Sequence, residues 1–483
     1  MGSTSSSVVF KNILHLGAAQ VATTALGVLG TAALGRALGP SNFGILYTVN
    51  TISGFMGVLN DWGQSTYVVR EVARGRSDRP ELIGSALLIR TVAIICGSLI
   101  AALIAAILGY DNRIVFLAFL AVIVALPITL YAPFAFVFRG MDRMDIDASV
   151  NVLGKVLTLV ALLAVLYLGA GLAGVILTQC VGGIGVLVVA VSIALRNGLT
   201  IKPPTSTVIW ELTRSGTPIF LFSLIIALRP FVEVMMLSKL TGPEVVGWYG
   251  AYSTIFGIML SPAMILAQAS LPQLSRASLS PSDFRHGLSS MARLLLLAAA
   301  LAASSLYIFG DYIVAMIFGY GRFQQTVVIL RVGAFSLPLL FLGCLLGNAL
   351  SAVARNKEIA FVSGAIVLAG AAMNWFGITF FQSQFGNGAI ALAVTAGITE
   401  IAVLFLFKVL LPHGSVGWAM LVDLLRAYAV SICSVLLVPQ LDLWLRAPLF
   451  LLIFLLISLF SGLMSRKDVE DALVRLRSAS TGG

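Results

Sequence analysis

The chain has 483 residues, of which 59% are apolar and only 10% are charged. A soluble domain carries about 25% charged residues, so this composition excludes a soluble enzyme, a disordered chain and a nucleic-acid-binding protein. The formal net charge of +10 is typical of a membrane protein whose basic residues flank its spans on the cytoplasmic side.

Apolar segments long enough to cross a bilayer follow one another along the whole chain. A spanning helix needs about 20 mostly apolar residues, and the apolar windows between polar breaks predict fourteen such helices. Their predicted extents are 12–36, 42–62, 82–109, 114–138, 148–169, 172–195, 215–239, 245–268, 288–318, 326–354, 359–382, 388–411, 418–440 and 446–465.

Basic residues in the loops predict the direction of these spans. With the amino terminus in the cytoplasm, nineteen Lys and Arg residues fall in cytoplasmic segments and five on the opposite side. Cytoplasmic loops carry the excess of Lys and Arg in membrane proteins. We therefore expect a multi-pass protein of the cytoplasmic (inner) cell membrane with both termini in the cytoplasm.

The chain resembles itself at an offset near 203 residues. GRALGPSNFGILY at 35–47 aligns with SKLTGPEVVGWYG at 238–250, so that Arg36 meets Lys239 and both copies contain Gly-Pro. Further along, the dipeptides Leu126-Pro127 and Leu337-Pro338 correspond at an offset of 211. The ordered anchors predict a duplication of six spans, in which both halves enter the membrane from the same side.

The predicted fold is an all-α polytopic membrane protein with about 14 transmembrane helices, in two six-helix lobes related as a parallel repeat, plus a C-terminal helix pair. The predicted N-lobe is 1–207 (spans one to six) and the C-lobe is 208–411 (spans seven to twelve). Residues 412–483 form spans thirteen and fourteen and a cytoplasmic tail. Two similar lobes suit alternating access, in which they rock about a shared site.

Charged side chains inside spans are costly and usually face a cavity or a partner. Four cations are the predicted substrate-binding residues of a positive cavity suited to phosphate or pyrophosphate: Arg90, Lys155, Arg229 and Arg293. Two acids, Glu233 and Glu400, are the candidate ion-coupling residues.

Alternative interpretations exist for four of these six charges. Arg229 and Glu233 are four residues apart on one helix face, where they form either part of a site or an internal ion pair. Glu400 is either a proton or cation site or a neutral acid in the core. Arg293 lies near a span end, from which it can also reach the interface.

Two stretches resemble the polysaccharide transporter family: GRALGPSNFGIL at 35–46 and LNDWGQSTYVVREVAR at 59–74. This family contains the O-antigen and related oligosaccharide flippases of the multidrug/oligosaccharidyl-lipid/polysaccharide exporter superfamily. The resemblance implies a flippase, not an enzyme, that translocates polyprenyl-pyrophosphate-linked oligosaccharides and is coupled to H⁺ or Na⁺. It also implies that glycosyltransferases or a polymerase of the same pathway are partners, and that Arg229 and Glu233 contribute to the cavity.

Two other functions are possible for a membrane protein of this kind. A multidrug exporter of the same superfamily would usually have twelve spans and carry organic cations. A membrane-embedded glycosyltransferase or polymerase would need catalytic acids, and the acidic cluster Asp142, Asp145 and Asp147 is interpreted as a solvated helix start. A Walker A motif is absent, so the chain itself does not hydrolyse ATP. Four dispersed cysteines and three scattered histidines predict no metal site and no cofactor.

Overall fold

A computed structural model describes residues 3–76, 78–278 and 280–464, with side chains from residue 19 onward. The cytoplasmic tail predicted after the last span, and the side chain of Lys11, lie outside the described residues. Every element in the described part is a helix. The helices are α1 (Ser3–Asp61), α2 (Gln64–Ala73), α3 (Arg79–Ile107), α4 (Asn112–Ile123), α5 (Leu126–Gly140), α6 (Met144–Leu168), α7 (Gly171–Arg196), α8 (Ser206–Leu240), α9 (Pro243–Ala277), α10 (Pro281–Phe318), α11 (Gln324–Ala334), α12 (Leu337–Ala352), α13 (Asn356–Phe385), α14 (Ala389–Leu410), α15 (Trp418–Leu437) and α16 (Leu443–Phe460).

The number of helices that can cross a membrane agrees with the sequence prediction. Within the described residues, 12 helices are long and apolar enough, or 13 when the bent pair α11–α12 is counted as one span. One of the 12, Ala19–Ala73, has 55 residues and contains Gly39 (φ 69°), where two helices join at a kink. A straight helix of that length would measure about 80 Å. Its two arms are therefore separate spans, which brings the count to the predicted fourteen and confirms the all-α membrane fold.

Spans four and ten are interrupted at corresponding positions. Span four consists of α4 and α5, and the break falls just before Leu126-Pro127. Span ten consists of α11 and α12, bent by 56°, and its break falls just before Leu337-Pro338. Proline is favoured in the first turn of a helix, where the N–H that it lacks would have no partner within the helix. The repeated Leu-Pro therefore begins a new helix segment in both halves, as a duplication predicts.

The described residues form two compact units. The first runs up to Gly250 and includes Ile317–Arg322, and the second consists of Ala251–Met316 and the residues from Phe323 onward. The first unit thus contains α8, which the sequence assigned to the C-lobe. The division into lobes at 207/208 remains a prediction about the repeat.

Apolar side chains from successive helices fill the first unit. In one cluster α1, α4, α6 and α7 meet through Leu46, Leu117, Leu162 and Ile176. In another, α2, α3, α5 and α8 meet around Tyr67, Leu82, Phe134 and Leu212. Many other large apolar side chains are exposed, as a surface that faces lipid requires.

Helix α8 packs antiparallel along the second arm of α1 (the part after Gly39) and along α2. Phe55 stacks on Phe231 with ring centroids 4.4 Å apart, and Trp62 stacks on Phe220 at 4.1 Å. Next to this pair, Gly63 approaches the backbone of Gly216 so closely that a Cβ on Gly63 would lie 3.0 Å from the Gly216 Cα. Residues later in α1 contact residues earlier in α8, which is the pattern of two antiparallel helices. This contact explains why α8 belongs to the first unit.

The repeated Gly-Pro motif packs against its own second copy within the first unit. A Cβ on Gly44 would overlap the carbonyl oxygen of Pro243 and lie 2.7 Å from the Gly247 nitrogen. A Cβ on Gly247 would in turn overlap the carbonyl oxygen of Pro40. The contact is thus reciprocal. The glycine of each copy packs against the proline carbonyl of the other copy. The absence of a side chain at both glycines is what lets the two backbones approach.

Basic residues beside each Gly-Pro motif make a second pair of related contacts. Arg36 Nε donates to the carbonyl oxygen of Ile317 at 3.1 Å. Its repeat counterpart Lys239 places Nζ 3.8 Å from the centroid of the Tyr110 ring, which is a cation–π contact. Ile317 and Tyr110 lie at the ends of corresponding spans, nine and three. The contact of Arg36 is one reason why Ile317–Arg322 joins the first unit.

The close glycine contact predicts a sharp difference between two Gly→Ala substitutions in α1. Gly44→Ala must push backbone atoms apart, so we expect a loss of about 1–3 kcal/mol of stability and less folded protein. Gly57→Ala is the matched control, because nothing lies within 4 Å of a Cβ at Gly57 and alanine favours a helix. Thermal unfolding in detergent measures both. Equal melting temperatures for the two variants would contradict the contact.

Candidate functional site

A cavity of about 590 Å³ lies inside the first unit, between α1, α5, α6 and α7. Pockets of 300–1,000 Å³ are typical of small-ligand sites. Its wall combines apolar side chains, glycines and polar side chains. The polar side chains are Thr31, Asn50, Asn151, Lys155, Thr158 and Gln179.

Glycines at the crossing of α6 and α7 shape one wall of this cavity. A Cβ on Gly182 would lie 2.7 Å from the carbonyl oxygen of Gly154 and would overlap the Thr158 hydroxyl. The two helices therefore cross in close contact at Gly154 and Gly182. This crossing fixes the position of Lys155, which follows Gly154 on α6.

Lys155 contributes the one charged side chain among the residues that line this cavity. It is exposed, and within the described part of the chain no hydrogen bond or ion pair involves it. A cation in a membrane-spanning helix is expensive unless it is paired or faces water. The cavity supplies the second condition, and it leaves the charge available to an anion.

A buried hydrogen-bond network adjoins the cavity at Asn151. Asp147 is 2% exposed; it accepts hydrogen bonds from Tyr131 at 2.6 Å, Arg139 at 2.7 Å and Asn151 at 2.9 Å. The prediction that the acidic cluster is a solvated helix start is therefore wrong for Asp147, whose charge is compensated by Arg139. The prediction of a solvated helix start does fit Asp145, which forms an exposed ion pair with Arg143. The network holds Asn151 in the cavity wall.

Arg90 lies in a packed part of the first unit and does not line this cavity. Its guanidinium donates to Asp61 Oδ1 at 2.6 Å and to Gln64 Oε1 at 3.2 Å, and it lies 5.0 Å from the centroid of the Phe136 ring. The Arg90 side chain is 5% exposed and that of Asp61 is 35% exposed. In this structure Asp61 compensates the charge of Arg90.

Arg229 and Glu233 form the ion pair that their spacing allows. Arg229 Nε and Glu233 Oε1 are 3.0 Å apart on α8, and the Tyr249 hydroxyl is 3.5 Å from Glu233 Oε2. Both side chains are partly exposed, at 29% for Arg229 and 15% for Glu233. The pair is thus accessible, unlike a core ion pair.

Two predicted site residues belong to the second unit. Arg293 on α10 pairs with the buried carboxylate of Asp423 at 3.3 Å, and Arg426 pairs with the same carboxylate at 3.0 Å. Glu400 on α14 is 6% exposed, and its carboxylate lies against Gly343 of α12, where a Cβ would overlap it. Gly343 thus makes room for the buried acid.

The four predicted cations therefore occupy different surroundings. Lys155 lines the 590 Å³ cavity, Arg90 and Arg229 are engaged by acids elsewhere in the first unit, and Arg293 is engaged in the second unit. Their joint role in binding substrate, and the ion-coupling role of Glu233 and Glu400, remain predictions. Sequence reasoning missed Asp61 as the partner of Arg90, although Asp61 lies in the quoted LNDWGQ stretch.

A further ion cluster, also missed from the sequence, connects the loop before α3 to α8. Arg76 donates two hydrogen bonds to the carboxylate of Glu211, both 2.8 Å long, and it also pairs with Asp78. The hydrogen bonds to Asp78 and Glu211 raise the pKa of Arg76, and the hydrogen bond from Arg76 lowers the pKa of Asp78. A bidentate pair of this kind is strong and directional, so it fixes the start of α8.

Comparison with known proteins gives the family. Residues 9–278 match the family described as polysaccharide biosynthesis protein, which is more than half of the chain. The chain belongs to this family. No curated protein matches its sequence significantly.

Solved structures show which fold this polysaccharide biosynthesis protein shares. The lipid II flippase MurJ, in an inward closed conformation, matches with a TM-score of 0.72 and 12% identity, over 92% of this chain and 97% of that chain. An inward-facing multidrug resistance MATE family transporter of the MOP superfamily matches with a TM-score of 0.66 and 15% identity, over 80% and 94%. A MOP superfamily transporter from Pyrococcus furiosus matches with a TM-score of 0.56 and 15% identity, over 83% and 95%.

These similarities confirm the predicted family and fold. The protein is a multi-pass membrane protein with the fold of MOP superfamily transporters. Two of these solved structures are of a lipid II flippase and a multidrug resistance transporter.

The environment of Arg90 predicts that Asp61 stabilises the folded protein. Asp61→Ala leaves a buried guanidinium without its acid, and we expect a loss of about 3 kcal/mol, the lower end of the usual range, because Asp61 is partly exposed. Asp145→Ala is the control: it breaks an exposed ion pair and should cost less than about 1 kcal/mol. Thermal unfolding in detergent measures both.

A second substitution distinguishes the ion pair from other effects of Asp61. The double variant Asp61→Ala/Arg90→Leu removes both charges, so it should recover part of the stability lost by Asp61→Ala alone. If the double variant loses as much stability as Asp61→Ala and Arg90→Leu lose when added together, the pairing would be contradicted.

Proposed function

We propose that the protein is a flippase that translocates polyprenyl-pyrophosphate-linked oligosaccharides across the cytoplasmic membrane by alternating access, for cell-surface polysaccharide or glycoconjugate synthesis. The observation that carries this proposal is the cavity of the first unit, where Lys155 supplies an uncompensated positive charge. The family match and the flippase fold support it.

The chemistry of the cavity wall suits this cargo. An ammonium group attracts the diphosphate as a point charge, and the amides of Asn50, Asn151 and Gln179 donate and accept hydrogen bonds, as sugar hydroxyls require. The polyprenyl chain would stay in the bilayer, because its transfer out of hydrocarbon is unfavourable. The headgroup would thus occupy the cavity while the polyprenyl chain that carries it stays in the membrane.

The multidrug exporter is the second candidate, because a MATE family transporter shares the fold. An organic cation needs a negative or neutral site, and the described lining of the cavity contains one cation and no acid. A membrane-embedded glycosyltransferase is less well supported still, since Asp147 is engaged by Arg139 and Asp145 by Arg143. The polarity of the cavity therefore favours an anionic cargo.

Ion coupling is part of the proposal. Glu233 would exchange its bond with Arg229 for a proton or Na⁺ when the diphosphate engages Arg229, and Glu400 is the second candidate for coupling. The partial exposure of the Arg229–Glu233 pair supports such an exchange. We further propose that both termini are cytoplasmic and that glycosyltransferases or a polymerase of the same pathway act on the same lipid.

Substitution of Lys155 tests the cavity. Because Lys155 is exposed and has no partner among the described residues, Lys155→Ala should leave folding intact but reduce headgroup translocation at least about tenfold. Lys155→Arg should keep most of it. The assay is headgroup accessibility in proteoliposomes that carry a polyprenyl-pyrophosphate glycan. Lys357→Ala changes an exposed lysine in the first turn of α13; it is the control and should flip normally. Wild-type rates for Lys155→Ala would remove Lys155 from the site.

Two substitutions on α8 separate substrate binding from ion coupling. Arg229→Ala should abolish flipping without loss of membrane insertion. Glu233→Gln should instead remove the response to an imposed proton or sodium gradient and leave slow, gradient-independent flipping. Normal gradient-driven flipping by either variant would contradict its role. Absence of any protein-dependent translocation of such lipids by the wild type, together with export of an organic cation, would favour the multidrug exporter.

A further inference from the structure

A second polar cavity lies in the second unit, where α10 and α15 begin. It measures about 560 Å³ and is lined by the first two turns of α10 and by the turn that precedes and opens α15. Its polar side chains are Ser282, Asp283, Arg285, His286, Ser289 and Ser415. None of these residues belongs to the proposed transport site.

Two helix amino termini meet at this cavity. The first four N–H groups of a helix have no partner within the helix, and the helix dipole adds a partial positive charge there. Gly417, which precedes α15, offers no side-chain cap to these groups. The first turn of α10 already contains the carboxylate of Asp283. The first turn of α15 contains no acid, and its N–H groups are suited to an anion such as phosphate.

A serine in the same wall has a hydroxyl without a partner in the described residues. Ser415 as a whole is 5% exposed and lines the cavity. Its oxygen is not one of the buried polar atoms that lack a hydrogen bond, so it opens to the cavity. It can therefore donate a hydrogen bond to a ligand oxygen there.

The lining of this cavity carries one full positive and one full negative charge, and neither has an ion-pair partner within the described residues. Arg285 contributes a full positive charge, and His286 contributes a further donor, whereas Asp283 is the one acid in the described lining. Arg285 is exposed, and no ion pair in the described chain involves it. The guanidinium is therefore available to a phosphate, which it binds through two parallel N–H groups.

An apolar groove continues from the polar cavity. It measures about 210 Å³ and lies between α12, α14 and α15, with Leu342, Leu404 and Leu421 in its wall and Lys408 as its one charged residue. Gly417, Trp418 and Met420 line both spaces. A polar cavity joined to an apolar groove matches an amphiphile with a charged head and a hydrocarbon chain.

The membrane face on which the site lies agrees with this ligand. Spans nine and thirteen, which begin with α10 and α15, both start on the face that the loop charges predict to be cytoplasmic. Anionic lipids are enriched in the cytoplasmic leaflet and attract basic residues near its surface. The fully exposed Trp418 (81%) is of the residue type that favours this interface.

We propose that this pair of spaces is a binding site for an anionic phospholipid of the cytoplasmic leaflet. The phosphate lies at the start of α15, where it meets Arg285 and the Ser415 hydroxyl, and one acyl chain enters the groove beside Leu404. The site is separate from the proposed cargo cavity, so it serves a resident membrane lipid rather than the transported one.

Binding to the purified full-length protein in detergent tests the proposal. The probes are dioctanoyl phosphatidylglycerol, dioctanoyl phosphatidylcholine, glycerol 3-phosphate and inorganic phosphate, and the readout is the dissociation constant from native mass spectrometry or thermal shift. We expect phosphatidylglycerol to bind at least about tenfold more tightly than each other probe. Equal affinities for the two lipids would overturn the anionic preference. Equal affinities for phosphatidylglycerol and inorganic phosphate would identify a free anion as the ligand and overturn the lipid site.

Three variants locate the site. Arg285→Glu should weaken the binding of phosphatidylglycerol about tenfold, and Ser415→Ala should weaken it about threefold. Arg276→Glu is the matched control, because it makes the same charge change at an exposed arginine outside the cavity. Equal losses for Arg285→Glu and Arg276→Glu would show only a general surface charge effect and would overturn the site. These measurements need no cargo, so their outcome is independent of the flippase proposal.

Discussion

The cost of an ionised side chain in hydrocarbon governs where the charges of this chain lie. Arg90, Asp147 and Asp423 are all buried, and each forms an ion pair with an oppositely charged residue. An isolated buried charge would destabilise the fold by several kcal/mol. Lys155 differs from the other predicted cations in the described residues, because its charge faces a cavity rather than an acid.

Close backbone contact is the second organising feature of the first unit. Glycines at Gly44 and Gly247, at Gly63 and Gly216, and at Gly154 and Gly182 bring helices together. Small residues are favoured at helix contacts in membranes, where no hydrophobic effect drives helices together and packing must do so. The first two contacts connect α8 and the start of α9 with α1, and the third builds the wall beside Lys155. Helix packing and the cavity therefore depend on the same residue type.

Much of the fold followed from the sequence, because apolar length and loop charge act locally. Apolar windows in the sequence mark the fourteen spans. The kink at Gly39-Pro40 and the breaks before Leu126 and Leu337 fall at Gly-Pro and Leu-Pro dipeptides that the sequence already shows. The ion pairs did not follow, since their partners are distant: Arg90 meets Asp61 29 residues away, and Arg293 meets Asp423 130 residues away. The partners of Asp147 are nearer, since Tyr131 and Arg139 lie 16 and 8 residues away, but neither spacing places them on the same helix face as Asp147, so no local pattern reveals the contact. Only i,i+4 neighbours such as Arg229 and Glu233 could be paired in advance.

The meeting of the two Gly-Pro motifs has a consequence for the history of the chain. Both copies use the same surface in this contact, as the two subunits of an isologous dimer do. Such a contact requires only one sequence, so two identical half-length molecules would already possess it. Fusion of the genes would then have tethered partners that associated beforehand, and it freed each half to diverge. Arg36 and Lys239, equivalent in the predicted repeat yet bound to different groups, would be a trace of that divergence.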